Sequence, residues 1–383
     1  MIYSFVLLLI SVFFAKSFQN KAVYIDNLSQ KQCGWVPKYN QANKAYFLLI
    51  LLLTLYSGLR SRGNDTGAYI GAYLYDVEGS LKSFEGISFG FLDEPGFEIY
   101  QVLVKMIAGN NYARFLTITA LITCASSIAF FRKYSSDFSL AVFIYIASTY
   151  YSYAMAALRQ CLAMAIGIWA IPLIYKKKWI KAAVVLMVAV SFHKLIIIFA
   201  LAVFLNDNVW TWKTGMIVLG TTVLAIGFST IVPVFSSTLG YNEDYMIWLA
   251  STQGTNIFRV LVWLLPAVLS FVYRNSVNAS CNPMQKMIIN LSIVGSMIMF
   301  LASFGAANMV ARMAFYFYPF FVLSFTELIT PKIVGNNCGT LKSLCKIGFF
   351  SYYLILNWNP SNFFVDTMKH NSIIDLFRSE VLR

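Results

Sequence analysis

Unbroken apolar runs recur along the whole chain, and they leave it one kind of fold. Met1–Ala15, Ala45–Leu59, Tyr112–Phe131, Phe138–Tyr153, Met155–Tyr175, Trp179–Phe192, Leu195–Leu205, Trp212–Val234, Ile257–Tyr273, Met287–Phe304, Met309–Leu328 and Leu344–Leu356 all read as such stretches. A helix needs about 20 apolar residues to cross a bilayer, and in hydrocarbon its backbone must be hydrogen-bonded within the segment. The runs do not alternate polar with apolar, as strands of a membrane barrel do. Composition agrees, with 59% of the 383 residues hydrophobic and 12% charged. The expectation is an all-α polytopic membrane protein of about 12 transmembrane helices. It would form a single integral membrane domain over residues 1–383.

The net charge of +13 does not point to nucleic acid, because the basic residues form no single basic domain. They gather in short connections such as Lys176-Lys177-Lys178, as the positive-inside rule requires. The first run has Lys16 and Lys21 after it and no basic residue before it, the reverse of a secretory signal. That predicts a retained span with its N-terminus outside the cytoplasm. Two longer segments then fall outside, 60–111 and 235–256. Within the first, Gly96 to Ile107 reads as a short amphipathic helix lying along the membrane. The six cysteines are scattered without a CxxC pair, so neither a disulfide framework nor a zinc site is indicated.

Polar residues inside or beside such runs are the candidates for chemistry. The run ending at Leu55 passes into Tyr56-Ser57-Gly58-Leu59-Arg60-Ser61-Arg62-Gly63-Asn64-Asp65-Thr66-Gly67-Ala68-Tyr69. On a helix Gly63, Gly67 and Gly71 would line one face as a packing seam, and Asp65, Tyr69 and Tyr73 another. Arg159 sits at the outer start of a span, followed by Gln160. An arginine in hydrocarbon costs about 2.5–3.5 kcal/mol, so it faces a cavity, a partner or the interface. Asn308, Arg312 and Tyr316 stack at intervals of four on another apolar stretch. His193, one of two histidines, stands at an outer turn. Several guanidinium groups in one cavity would suit a phosphate or diphosphate, whose oxygens the arginine fork matches in pairs. There is no DxD, HExxH, Walker A or dinucleotide-binding glycine motif.

Gly58-Leu59-Arg60 with Gly63-x-Asp65 and Tyr69, then Glu94-Pro95-Gly96-Phe97, Arg159-Gln160 with Leu162-Ala163, His193 and Arg312 together resemble the EpsG family, Wzy-like polymerases of exopolysaccharide and O-antigen. The likeness extends to about Leu328, and Leu195 departs from the family pattern after the histidine. It implies inverting glycosyl transfer, outside the bacterial cytoplasmic membrane, between undecaprenyl-diphosphate-linked oligosaccharides, without metal or cofactor, on a GT-C-like fold. Arg60, Arg159 and Arg312 would hold the diphosphate. Asp65, Glu94 or His193 would be the base or orient the acceptor, with Arg62, Tyr69, Gln160, Asn308 and Tyr316 in support. Flippase and chain-length regulator proteins are the implied partners. Two other classes fit the composition, a flippase for lipid-linked repeats and a membrane O-acyltransferase. A flippase would favour two similar halves, which are not visible, and no acyl-transfer constellation stands out.

Overall fold

The structure, a computed structural model, describes residues 2–21, 44–63, 65–77, 84, 87, 93–205, 208–226, 254–305, 307–358, 370–378 and 380. Among them all regular structure is helical, and pairing of the strand type is limited to one isolated bridge, Arg60 with His370. Among the described residues three helices are long and apolar enough to cross a bilayer: Tyr112–Tyr134, Leu158–Tyr175 and Pro283–Leu301. The number rises to six if each bent pair is one span. Ser4–Gln19, Lys44–Gly58, Trp179–Phe192 and Lys194–Val203 are apolar but shorter. The chain is thus a helical membrane protein. The expected second loop, 235–256, with Glu243 and Asp244, lies outside the described residues except for its last three positions.

Several expected spans are interrupted. The run 138–153 breaks at Ser148 and Thr149 into Phe138–Ala147 and Tyr150–Ala156, bent by 51°. Thr149 takes a left-handed φ of 72°, which ends the first helix and starts the second in a new direction. A second break at Ala157 precedes the helix Leu158–Gly167. The run 309–328 breaks before Tyr318–Leu328, with a bend of 50°, and Pro319 supplies the helix start. Ile257–Val272 turns by 73° into Arg274–Ser280. The run 195–205 is a 3₁₀ helix, Lys194–Val203.

The chain divides into two compact units. The first comprises Met1–Ala170, Ile180–Ile197 and Lys342–Arg383. In it Lys44–Gly58 packs along Tyr112–Tyr134 and against Ile2–Lys21. Its core near Tyr112 holds Tyr73 stacked on Phe115 at 4.4 Å, with Ile70, Phe97, Leu116, Leu158 and Leu162 around them. Polar contacts gather around the turn between Tyr112–Tyr134 and Phe138–Ala147. Gln19 accepts the Ser139 N–H, Arg132 lies over the Tyr46 ring, and Lys342 pairs with Asp137 at 2.8 Å. The second unit, Ile171–Trp179 with Ile198–Leu341, is built on Pro283–Leu301, which packs against Ile257–Val272 and Tyr318–Leu328. That helix starts with a capping box between Asn282 and Gln285. Trp263 is stacked on Phe321 at its core. Glu327, fully buried, is held by the Gln285 amide and the Thr326 hydroxyl.

The expected glycine seam is corrected by the structure. Gly63 lies in a bend ahead of the helix Thr66–Gly71, and a Cβ at Gly71 would meet nothing within 4 Å. The close approach occurs instead at Gly58, whose Cβ would lie 2.5 Å from the Thr117 Cα. Backbone cannot swing aside as a side chain can. Gly58→Ala should therefore destabilise the protein by about 1–3 kcal/mol, read as a lower melting temperature in detergent, while Gly71→Ala leaves it unchanged.

Candidate functional site

Arg60 follows the end of Lys44–Gly58 and is 1% exposed. The last carbonyls of a helix have no partner within it and carry the negative end of its dipole. The Arg60 guanidinium answers two such ends together. Nη1 donates to the Ser57 carbonyl oxygen, and to the Ser57 hydroxyl at 3.3 Å. Nη2 donates to the Met155 carbonyl at 2.9 Å, in the last turn of Tyr150–Ala156. Nε donates to the Thr66 hydroxyl at 3.1 Å, which fixes the start of the next helix. Burial pulls the Arg60 pKa down to about 10, opposed by Tyr151, Cys124 and Tyr69, so it stays charged at neutral pH. Each guanidinium nitrogen of Arg60 is thus already engaged with protein.

Arg159 is placed differently. It is half-buried and lies in the first turn of Leu158–Gly167, where a cation opposes the helix dipole. Its guanidinium lies over the Phe97 ring at 4.9 Å. Its backbone hydrogen-bonds the Tyr69 hydroxyl, and the Tyr69 ring meets Phe97 edge-on at 5.9 Å. Burial raises the Tyr69 pKa, Arg159 works against that rise, and Asp65 adds to it. Phe97 is fully buried and joins Arg159 and Tyr69 into one cluster.

The third member comes from the helix Pro95–Ala108. Its N-cap residue Glu94 accepts the Lys194 N–H at 2.9 Å, and the same oxygen lies 3.7 Å from His193 Nδ1. Both side chains are partly open, at 24% and 17% exposure for His193 and Glu94, so a substrate group can reach them. Gly96 makes this contact possible. A Cβ there would lie 2.3 Å from the Ser191 hydroxyl and 2.8 Å from the Ser191 carbonyl carbon. Only glycine lets the start of Pro95–Ala108 lie against the end of Trp179–Phe192, and that approach brings Glu94 to His193.

The other expected residues fall elsewhere. Asp65 is exposed at the N-cap of Thr66–Gly71 and makes no capping hydrogen bond with its side chain. Asp65, Tyr69 and Tyr73 do not form one open face: Tyr69 is half-buried and Tyr73 fully buried, its hydroxyl on the Gly109 carbonyl. Arg62 is exposed. Gln160 is buried and accepts a hydrogen bond from the Tyr153 hydroxyl, which ties Tyr150–Ala156 to Leu158–Gly167. In the second unit Arg312 is exposed, whereas Tyr316 is fully buried beside Phe199. The helix ends at Phe315, so the stripe of four-residue spacing stops there. The Asn308 side chain lies outside the described residues. Arg259, not expected at the site, lies over Phe315 at 5.8 Å.

His370 was missing from the expected set. It bridges to Arg60 and shares a hydrogen bond of 3.0 Å between its Nε2 and the Tyr56 carbonyl. The sequence signal that marks this segment is the Ser372-x-x-Asp375 capping box.

These placements separate two kinds of arginine. Arg60→Met leaves two buried helix ends without their donor and should lower stability by roughly 2–3 kcal/mol, measured as a fall in melting temperature. Arg159→Met removes a partly exposed ring contact and should cost under about 1 kcal/mol by the same measurement. Gly96→Ala should force the start of Pro95–Ala108 away from Ser191 and cost about 1–3 kcal/mol, read as a lower melting temperature in detergent.

A profile of the EpsG family matches residues 43–369. No curated protein and no solved structure matches the chain. The match takes in Arg60, Asp65, Glu94, Arg159, His193 and Arg312, and the chain belongs to the EpsG family.

Proposed function

We propose that this protein is a polysaccharide polymerase, joining undecaprenyl-diphosphate-linked oligosaccharide repeats on the extracytoplasmic face of the bacterial cytoplasmic membrane. It would be a multi-pass enzyme of about 12 crossings with a GT-C-like fold. The observation that carries the reading is that one helix, Pro95–Ala108, serves two contacts in a chain of the EpsG family: its Phe97 lies under Arg159 and meets Tyr69, and its N-cap Glu94 lies 3.7 Å from His193. A cation at a helix start and a carboxylate–histidine pair are the two functions that such a transfer needs close together.

In the proposed step the acceptor hydroxyl attacks the anomeric carbon of the growing chain. The bond from that carbon to the diphosphate oxygen breaks, and the configuration inverts. Negative charge grows on the departing diphosphate, and fixed donors aimed at it lower the barrier. Arg159, with the N–H groups at the start of Leu158–Gly167, takes that charge, and Arg312 is assigned the same task. Arg60 assists by fixing the loop ahead of Asp65. The Glu94–His193 pair accepts the hydroxyl proton, with the carboxylate orienting the imidazole. Asp65 orients the acceptor sugar. The cationic part of the chemistry then needs no metal. A flippase feeding repeats to the outer face and a chain-length regulator are the expected partners.

In a deletion strain the polymerase reading expects single lipid-linked repeats facing outward. Repeats facing inward would mark a flippase, and full-length polymer lacking an acyl group an acyltransferase. Restoring the gene as Arg159→Ala or Arg312→Ala should reduce long chains by about 100-fold or more at unchanged expression. Arg159→Lys should fail as well, since one ammonium cannot make the paired bonds of the fork. Normal chain length in both alanine variants would remove the diphosphate assignment.

A further inference from the structure

The segment His370–Arg378 follows the family-matched region directly, yet it is bound to the end of the first unit that carries Arg60. The Asn371 N–H donates to the Leu59 carbonyl, and the Tyr112 hydroxyl to the Asn371 side chain at 3.1 Å. The Asn111 amide donates to the carbonyls of Asp375 and Arg378 at 2.7 and 3.0 Å, and Arg114 Nε to that of Leu376 at 2.6 Å. Ser372 and Asp375 close the 3₁₀ turn between them as a capping box, and Asp375 is buried. The Asn371 Nδ2 is buried without a hydrogen-bond partner, but the main-chain carbonyls of Asp375, Leu376 and Arg378 and the Asp375 carboxylate are turned inward and bonded. The segment's apolar groups are not: Ile373 is 52% exposed, Ile374 62% and Phe377 81%.

The depth of this segment is set by what it holds. Asn111 is the N-cap of Tyr112–Tyr134, a helix long and apolar enough to cross a bilayer, and Arg114 is in its first turn. A segment bonded to both sits at the level where the span leaves hydrocarbon. The same level carries Met106 and Ile107, exposed at the end of Pro95–Ala108, whose Ala108 carbonyl also accepts from Arg114. Arg378, 65% exposed and paired with Asp375, is the cation at the edge of the patch. Isoleucine and phenylalanine beside arginine at the end of a span match the boundary between lipid headgroups and acyl chains.

We propose that residues 370–378 are an interfacial foot, which seats Ile373, Ile374 and Phe377 in the headgroup layer at the start of Tyr112–Tyr134. The foot also grips the backbone of Tyr56 and Leu59, so the bilayer surface becomes a support for the Arg60 loop. This assignment concerns position in the membrane and stands apart from the reaction catalysed.

The test places a reporter on the apolar face. Full-length Phe377→Trp is reconstituted into phosphatidylethanolamine–phosphatidylglycerol vesicles that contain lipids brominated near the glycerol end or near the methyl end of the chain. The emission added over wild type should be blue-shifted. It should be quenched strongly by bromine near the glycerol end and weakly by bromine near the methyl end. Added emission that ignores both brominated lipids overturns the proposal, whether aqueous iodide quenches it, as for a side chain in water, or nothing does, as for one covered by another protein copy. Ile374→Trp repeats the measurement at a second exposed position, so a folding defect in one variant does not decide the outcome.

Discussion

One guanidinium group ends two helices, and one end of the first unit is arranged around it. A helix that stops in a water-poor environment leaves carbonyls that water cannot reach, and each such group is costly unless a donor is supplied. Arg60 supplies donors to Ser57 and Met155 and fixes Thr66 with its third nitrogen. Three segments, one of them about 95 residues away in sequence, are thereby held in register: the end of Lys44–Gly58, the loop ahead of Asp65, and the broken helix ahead of Arg159. The charge survives burial because its partners are the negative ends of dipoles rather than apolar walls.

The breaks in the helices explain why such a residue is required. Two uninterrupted spans over 138–153 and 155–175 would each satisfy their own backbone and leave one turn between them. Breaks at Thr149 and at Ala157 instead create further termini inside the unit. One terminus is answered by Arg60. The next, the start of Leu158–Gly167, carries Arg159, a cation on the positive end of a dipole. That placement is unfavourable for the isolated protein and favourable once an anion arrives. The adjacent arginines therefore differ in kind: one is neutralised by the fold, the other is held against it.

That the chain is a helical membrane protein was legible from apolar runs, and Trp179–Phe192 has the same limits in both. Among the described residues, however, three helices, or six with each bent pair as one span, are long and apolar enough to cross, against about 12 expected. The breaks were not legible, because apolar composition continues through them and the left-handed turn falls on threonine, which does not announce it. The glycine pattern misled for a related reason. Spacing says which residues share a face only if one helix continues, and Gly63 stands before the helix begins. The Asn308, Arg312 and Tyr316 stripe stopped at Phe315 by the same logic. At the site, Arg159 and His193 were readable as polar residues in or beside apolar runs. The pairing of Glu94 with His193, nearly a hundred residues apart, was not, since it depends on a backbone contact between Gly96 and Ser191. Arg60 was recognisable as unusual, but not as a cap, because the carbonyl it meets at Met155 is set by a break that composition hides.

Burial sorts the polar groups of this unit into two sets with different consequences. Arg60, Gln160 and Asn111 are buried, and each holds a defined partner that ties one segment to another, while buried Asp375 closes its own turn with Ser372 and Arg378. Such groups can add little to catalysis directly, because a new ligand would have to displace a bond already made in a poorly hydrated place. Arg159, Glu94, His193 and Asp65 lie at intermediate or open positions over this inner frame. Their geometry is borrowed from it: Phe97 carries Arg159, Gly96 admits Glu94 to His193, and Thr66, bonded to Arg60, begins the helix that Asp65 precedes. A membrane enzyme cannot order its reactive groups with a layer of bulk water, so it orders them with a second set of polar groups beneath. The number of arginines at this end of the unit is then a poor count of the charge available to a ligand, and the share of their nitrogens left unengaged by backbone is the better one.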